Sequence, residues 1–211
     1  MKNLIFMCLF LFVIGCAFSF EVPVKQHTNS GCVVYINSFG NLIKNDIVVG
    51  HNVTTYWVLN KFHNCDLLWQ TKRDDLVLEG KILTRNVQDF QITYNDHIVW
   101  TNRFTQIGKD YSTFGNNLSY YEISYKGHEY VYWVDKFNRF YNENRLVSNN
   151  VKEFHVLIWS YVEDVVWLDR FNNLYVDQKL LDRNIQSYWV DYKGISWKDT
   201  FGNTKEYFYN Y

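Results

Sequence analysis

The 211 residues contain only one proline, four cysteines and ten glycines. Neither charge sign is in excess, because 21 Lys and Arg stand against 22 Asp and Glu, and no basic run occurs. A nucleic-acid partner would need a concentrated basic surface. No HExxH, GxSxG or Gly-rich phosphate loop is present, and no pair of the six histidines has the spacing of metal ligands on a helix. We therefore expect no nucleic-acid partner, no cofactor and no metal site.

Long apolar runs are also absent, except at the start of the chain. Lys2 precedes the apolar residues 4–15, and Ala17-Phe18-Ser19 offers a small-x-small cleavage site. Residues 1–19 are therefore predicted to be a signal peptide, and residues 20–211 a secreted domain that does not span a membrane. Val13-Ile14-Gly15-Cys16 also fits a bacterial lipobox, so the alternative is a lipid anchor at Cys16.

Two cysteines, Cys32 and Cys65, remain after cleavage. An exported protein with two cysteines most simply forms one disulfide, and the alternative is two free thiols. A bridge over a separation of 33 residues would stabilise the fold by about 3–4 kcal/mol through loop entropy.

A short pattern fills nearly the whole mature chain. One aromatic recurs at intervals of 30 to 34 residues, at Tyr35, Trp69, Trp100, Trp133, Trp167 and Trp197. An asparagine follows each of the first five after 17 residues, at Asn52, Asn86, Asn117, Asn150 and Asn184. Because this offset is constant, the pattern indicates six structural repeats.

Each repeat is long enough for four short strands. In the fifth copy, 165–167, 174–176, 180–181 and 188–190 are β-type runs separated by turn residues, and none shows a helical period. Such units predict an all-β fold, a small β-propeller of about six four-stranded blades with 32-residue repeats. Five blades with irregular ends are the alternative. The sixth copy stops after its third strand, so closure would need residues 206–211 or 20–30 to complete a blade, with contact between the chain ends.

The hairpins carry a family resemblance. Residues 168–177 (LDRFNNLYVD), 134–142 (VDKFNRFYN) and 198–203 (KDTFGN) resemble the hairpin of NHL-type propellers, and YWVD at 132–135 is similar to the YWTD motif of receptor propellers. The resemblance covers one hairpin per copy and implies the fold, with no ligand.

A polar residue stands two places after each recurring aromatic, at Asn37, Thr71, Asn102, Asp135, Asp169 and Asp199. Such side chains next to a turn are expected to accept hydrogen bonds from local backbone N–H groups. The alternative is a ring of polar groups around a cation. The recurring asparagine is expected to form the turn into the innermost strand in a left-handed conformation.

Length varies only between each asparagine and the next aromatic, which places the variable piece in the loop from first to second strand. These loops share one face of a propeller, and variable loops on a rigid scaffold commonly carry function. Four aromatics lie at this face and are the predicted ligand-binding residues: Tyr94, Tyr125, Trp159 and Tyr192. The alternative is that the tyrosines belong to ordinary blade packing.

We accordingly expect a monomeric, non-enzymatic binding module that recognises a glycan or an extracellular protein. One alternative is a carrier that holds a small planar or apolar ligand, such as a pigment, in the central channel of the propeller by means of Trp57 and Trp189. Another is a metal-dependent hydrolase that uses Glu122 and His155, which share one repeat position with Gln91.

Two N-glycosylation sequons begin at Asn52 and Asn117, and they are meaningful if the source is a eukaryote. Both asparagines belong to the recurring turn. If the fold uses their side chains internally, neither is available to a glycan.

Overall fold

A computed structural model of the chain describes residues 25–28, 31–59, 65–124, 129–159, 162–191 and 194–208. These residues form 23 β-strands and no helix. Across these ranges, nothing helical is therefore long or apolar enough to cross a bilayer. The predicted leader, residues 1–19, lies outside the described residues and stays a prediction.

The first three sheets have four antiparallel strands each, added one after another along the chain. Sheet one contains β1 (Gln26–His27), β2 (Val33–Ile36), β3 (Leu42–Lys44) and β4 (Ile47–Gly50). Sheet two contains β5 (Val53–Leu59), β6 (Asp66–Thr71), β7 (Leu76–Leu78) and β8 (Lys81–Thr84). Sheet three contains β9 (Val87–Ile92), β10 (Ile98–Asn102), β11 (Ile107–Lys109) and β12 (Ser112–Gly115).

The next three sheets repeat the pattern. Sheet four contains β13 (Leu118–Ile123), β14 (Val131–Asp135), β15 (Phe140–Asn142) and β16 (Arg145–Ser148). Sheet five contains β17 (Val151–Trp159), β18 (Val162–Asp169), β19 (Leu174–Val176) and β20 (Lys179–Asp182). Sheet six has only β21 (Ile185–Val190), β22 (Gly194–Asp199) and β23 (Thr204–Phe208).

The predicted fold class is confirmed: the chain is all-β and forms six small blade-like antiparallel sheets. The sixth sheet has three strands, as the truncated last repeat predicted. The two predicted closing segments act separately, because Gln26 and His27 pair within sheet one whereas residues 204–208 pair within sheet six.

The core lies between consecutive sheets. Five buried clusters join sheet one to two, two to three, three to four, four to five, and five to six. Each cluster contains the recurring tryptophan of its later sheet, at Trp69, Trp100, Trp133, Trp167 and Trp197. The recurring aromatic is therefore the side chain with which each sheet packs on the preceding one.

A small residue on the preceding sheet makes room for these rings. A Cβ added to Gly50 would lie 3.1 Å from the Trp69 ring, and one added to Gly115 would overlap the Trp133 ring. Close approach of the indole thus requires glycine at position 115, whereas a Cβ on Gly50 would make a tight contact with the Trp69 ring.

The two outer sheets lack this burial on their free faces. Tyr35 takes the tryptophan position in sheet one, and the ammonium of Lys25 lies over its ring at 5.0 Å from the centroid. In sheet six Trp197 faces sheet five. Because side chains alternate along a strand, the neighbouring Ser196 and its cross-strand partner Glu206 face away from sheet five. Every residue of β23 is exposed. Within the described ranges no buried cluster joins sheets one and six, and the expected contact between the chain ends stays a prediction.

The predicted disulfide joins Cys32 of sheet one to Cys65 of sheet two, with the two Cα atoms 6.4 Å apart. Both residues are buried in the cluster between these sheets. The bridge therefore links the two N-terminal repeats at equivalent points.

Candidate functional site

The alternating direction of the strands gives the stack of sheets two edges. We call one the loop edge; it carries the connections from first to second strands and the turns from third to fourth strands. The turn edge carries the turns from second to third strands, at 37–41, 71–75, 102–106, 135–139, 169–173 and 199–203, and the connections between sheets. Of the predicted ligand-binding aromatics, Tyr94 lies on the loop edge.

The six polar residues that follow the recurring aromatics all open turns of the turn edge. In the fifth, one carboxylate oxygen of Asp169 accepts hydrogen bonds from the backbone N–H groups of Phe171 and Asn173, both at 2.8 Å. The same pair of contacts recurs at Asn37, Thr71, Asn102, Asp135 and Asp199. Their predicted structural role is therefore confirmed.

The recurring asparagines connect neighbouring turns in one row. We call the backbone hydrogen bonds that each asparagine and the following residue make a joint. All five have positive φ between 53° and 63°, which is the predicted left-handed conformation. The carbonyl of Asn150 accepts from the N–H of Arg170 in its own sheet at 2.8 Å, and Val151 donates to Asn138 of the preceding sheet at 2.9 Å. At every joint the residue after the asparagine donates to a carbonyl thirteen residues earlier. This closed hydrogen-bonded loop explains why the 17-residue offset never changes.

The turn edge also displays a feature that sequence reasoning missed. The third residue of five of the six turns is a strongly exposed phenylalanine: Phe39, Phe104, Phe137, Phe171 and Phe201. Arg73 stands at this position in the second turn. Recurrence two places after the polar residue was the available signal, but periodicity alone does not distinguish a buried ring from an exposed one.

On the loop edge, the connection from β9 to β10 is held by a neighbouring sheet. Glu129 precedes β14 and is fully buried. Its carboxylate accepts hydrogen bonds from the hydroxyl of Thr93 and from the backbone N–H of Asn95, the latter at 2.9 Å. Within the connection, Thr93 donates its backbone N–H to the carbonyl of His97 at 2.9 Å. These contacts fix the loop that presents Tyr94.

Tyr94 itself is 89% exposed at the tip of this loop. It is the predicted ligand-binding residue whose side chain the structure places. Tyr125 and Tyr192 lie outside the described residues, and so does the side chain of Trp159 at the end of β17. Beside Tyr94, His97 Nδ1 lies 2.7 Å from an Asp110 carboxylate oxygen.

The heterogeneous position in the first strands brings Glu122 and His155 together across sheets four and five. Their Oε1 and Nδ1 atoms are 3.3 Å apart, and the other oxygen of Glu122 accepts from the N–H of Val156 at 2.6 Å. The hydrogen bond to Glu122 raises the pKa of His155 above its ordinary value, against the effect of burial. Over the described part of the chain, no three His, Cys, Asp or Glu side chains are grouped to hold a metal.

The two tryptophans of the carrier hypothesis lie on sheets two and six. Trp57 packs edge-on against Phe90 of sheet three, with ring centroids 4.8 Å apart, whereas Trp189 is 47% exposed. Trp57 thus contributes to packing between sheets two and three.

Both sequon asparagines have exposed side chains, since their joints use backbone groups. Asn52 and Asn117 therefore satisfy the accessibility that a glycan needs. Both lie on the turn edge.

Comparisons with known proteins give little further information. No known family matches the sequence, and no curated protein matches it. Among solved structures, the chain is similar to selenomethionine-substituted virginiamycin B lyase from Staphylococcus aureus. That similarity has 13% sequence identity and a TM-score of 0.21, and it covers 88% of this chain and 69% of the other.

Proposed function

We propose that this protein is a secreted, non-enzymatic binding module that recognises a glycan or another extracellular protein through its loop edge. The observation that carries the proposal is Tyr94, a strongly exposed ring on a loop fixed by Glu129 of the next sheet. A loop whose backbone is held in place loses little conformational freedom on binding, so more of the stacking energy of its ring contributes to affinity.

The chemistry of the loop favours a sugar or a polar protein surface. A tyrosine offers an apolar face for stacking and a hydroxyl for hydrogen bonding. The neighbouring Asn95, Asp96 and His97 add donors and acceptors around the ring. The hairpins resemble NHL-type and YWTD-type repeats. This resemblance concerns the scaffold that carries the binding site and implies no ligand.

A glycan array on the purified mature protein tests the proposal, followed by titration of the best ligand. Tyr94→Ala, Tyr125→Ala and Trp159→Ala should each weaken binding by about 1–2 kcal/mol, by analogy with measured aromatic contacts. Phe137→Ala, which removes an exposed ring from the opposite edge, is the matched control and should leave affinity unchanged. Binding that is unaltered in all three loop-edge variants would contradict the assignment.

Export is tested separately by sequencing the N-terminus of protein recovered from the culture medium. We expect the mature chain to begin at or near Phe20. A chain that begins at a lipidated Cys16 would establish the anchored alternative.

The hydrolase alternative has one observation in its favour, the contact between Glu122 and His155. It requires ester hydrolysis that depends on an added divalent metal and is lost in Glu122→Gln. Equal rates in the wild-type protein and this variant would exclude that site.

A further inference from the structure

The exposed phenylalanines of the turn edge form a repeated array. Their side chains are 64–82% exposed, and each occupies the same place in its turn. Because the joints at the recurring asparagines connect neighbouring turns through backbone hydrogen bonds, the rings stand along one edge, one in each sheet except the second, where Arg73 takes the place. Stacked sheets are about 10 Å apart.

The fold itself does not need these rings. In the second turn Arg73 replaces the phenylalanine, yet Thr71 still accepts from the N–H groups of Arg73 and Asp75, at 3.3 and 3.2 Å. The joint to the next sheet is also unchanged, with Val87 donating to Asp74 at 2.8 Å. Five solvated aromatic rings that the turn does not require indicate a contact surface.

The exposed charges on this edge are mostly positive. The turns and connections that define it contain eight Lys and Arg against five Asp. Three of the five, Asp135, Asp169 and Asp199, are at most 6% exposed because they accept the turn N–H groups. Two ion pairs each use one carboxylate and one cation, Asp74 with Arg103 at 2.8 Å and Asp135 with Arg139 at 2.6 Å, which leaves six of the eight cations outside these pairs. Exposed cations directly precede or occupy the phenylalanine position, at Lys72, Arg73, Arg103, Lys136 and Arg170.

The opposite edge is mixed in charge. Each turn from third to fourth strand carries one carboxylate, at Asp46, Glu79, Asp110, Glu143 and Asp177, and a cation flanks each turn, at Lys44, Lys81, Lys109, Arg145 and Lys179. Two of these cations pair with the carboxylates, Lys44 with Glu79 and Lys109 with Glu143. The apolar rings thus stand on the edge whose turns and connections carry the excess of cations. An extended negative surface with an apolar interior is complementary to that edge.

We propose that the turn edge is a peripheral membrane-binding surface, on which the phenylalanines insert at the interface of an anionic lipid bilayer and the neighbouring cations contact its headgroups. Phenylalanine offers no hydrogen-bonding group, so the row suits the acyl boundary better than a sugar or a polar peptide. Lys and Arg close to an anionic bilayer each contribute about 1 kcal/mol. A single-stranded nucleic acid could also stack on aromatic rings beside cations, and the test below separates the two.

The test is sedimentation of the mature, N-deglycosylated protein with vesicles of phosphatidylcholine alone or with added phosphatidylserine. Binding should require the anionic lipid and weaken with salt. Phe104→Ser/Phe137→Ser/Phe171→Ser should reduce partitioning by about tenfold or more. Lys136→Gln/Arg170→Gln should reduce it by about fivefold per charge, while leaving the rings in place.

The matched control is Ile82→Ser/Leu146→Ser/Leu180→Ser, which removes three exposed apolar side chains from the outermost strands instead. This variant should partition like the wild-type protein, and unchanged thermal unfolding should accompany all three variants. Absence of vesicle binding, or equal binding by the Phe and control variants, overturns the proposal. So does phenylalanine-dependent binding of single-stranded DNA or heparin without vesicle binding. Tyr94→Ala should bind vesicles normally, so this result is independent of glycan recognition at the loop edge.

Discussion

The carbonyl oxygen of Asn150 accepts a 2.8 Å hydrogen bond from the backbone N–H of Arg170, and Asn150 has a φ of 61°. Asn150→Gly should preserve this joint because glycine adopts positive φ without strain. Asn150→Ala should lower the free energy of unfolding by about 1–2 kcal/mol, since alanine is disfavoured in this conformation. Chemical denaturation measures both variants, and equal stability of the two would contradict the role of the left-handed joint.

Close contact between a glycine and an indole gives the second prediction. A Cβ on Gly115 would overlap the Trp133 ring, so Gly115→Ala should destabilise the protein by about 1–3 kcal/mol through overpacking. Ser148 holds the equivalent place in sheet four, and Ser148→Ala is the control because it adds no atoms. Thermal unfolding of both variants distinguishes overpacking from a general sensitivity of this position.

The bridge between Cys32 and Cys65 gives the third prediction. Intact mass after alkylation should show no free thiol unless a reductant is added. Cys32→Ser/Cys65→Ser should lose about 3–4 kcal/mol of stability in the loop-entropy account. Two labelled cysteines in the native protein are the result that would refute the bridge.

The fourth prediction concerns the pH dependence of His155. Its pKa lies above the ordinary value because Glu122 accepts its hydrogen bond, and Glu122 and Glu153 are the nearby carboxylates that favour the imidazolium. This contact therefore stabilises the fold below the ordinary histidine pKa, and the contribution is lost as the pH rises through the raised value. NMR titration of the ring should show the raised pKa, and Glu122→Gln should lower it. A pKa unmoved by that substitution would contradict the assignment.

Accessibility of Asn52 and Asn117 gives the fifth prediction. Protein secreted from a eukaryotic host should lose mass on enzymatic removal of N-glycans, and Asn52→Gln and Asn117→Gln should each remove one glycan. A mass unchanged by the enzyme would show that the sequons are unused. Glycans at these positions would also cover parts of the turn edge, so vesicle binding should increase when they are removed.

The repeat could be predicted because the spacing of the recurring residues is read directly from the sequence. The invariant offset from Trp167 to Asn184 follows from a hydrogen-bonded joint, and the six sheets, the polar turn residues and the left-handed asparagines could be anticipated from it. The small residues under the indoles, such as Gly115, were not anticipated, because the residue at this position differs between repeats and spacing does not show which side chain lies against a ring.

The candidate sites were less predictable for a physical reason. Phe137 and Trp133 are both recurring aromatics, yet one is 64% exposed and the other 3%. The two exposed fractions differ because Trp133 lies in strand β14 and packs on the preceding sheet, whereas Phe137 lies in a turn. The buried Glu129 that fixes the Tyr94 loop lies 35 residues away in sequence and belongs to another sheet. Sequence spacing could identify the loop but not its partner.

The asparagine joints have a consequence for how this architecture can change. A residue inserted into the thirteen residues between a donor and its carbonyl would enlarge that hydrogen-bonded loop and weaken the joint between two neighbouring sheets. A residue inserted between first and second strands leaves each joint intact, because the donor and its carbonyl stay thirteen residues apart. The turn edge therefore tolerates little change in length, whereas the loop edge tolerates insertions. Foreign recognition segments should be grafted into the loop edge, where the scaffold accepts new lengths without losing alignment of its sheets.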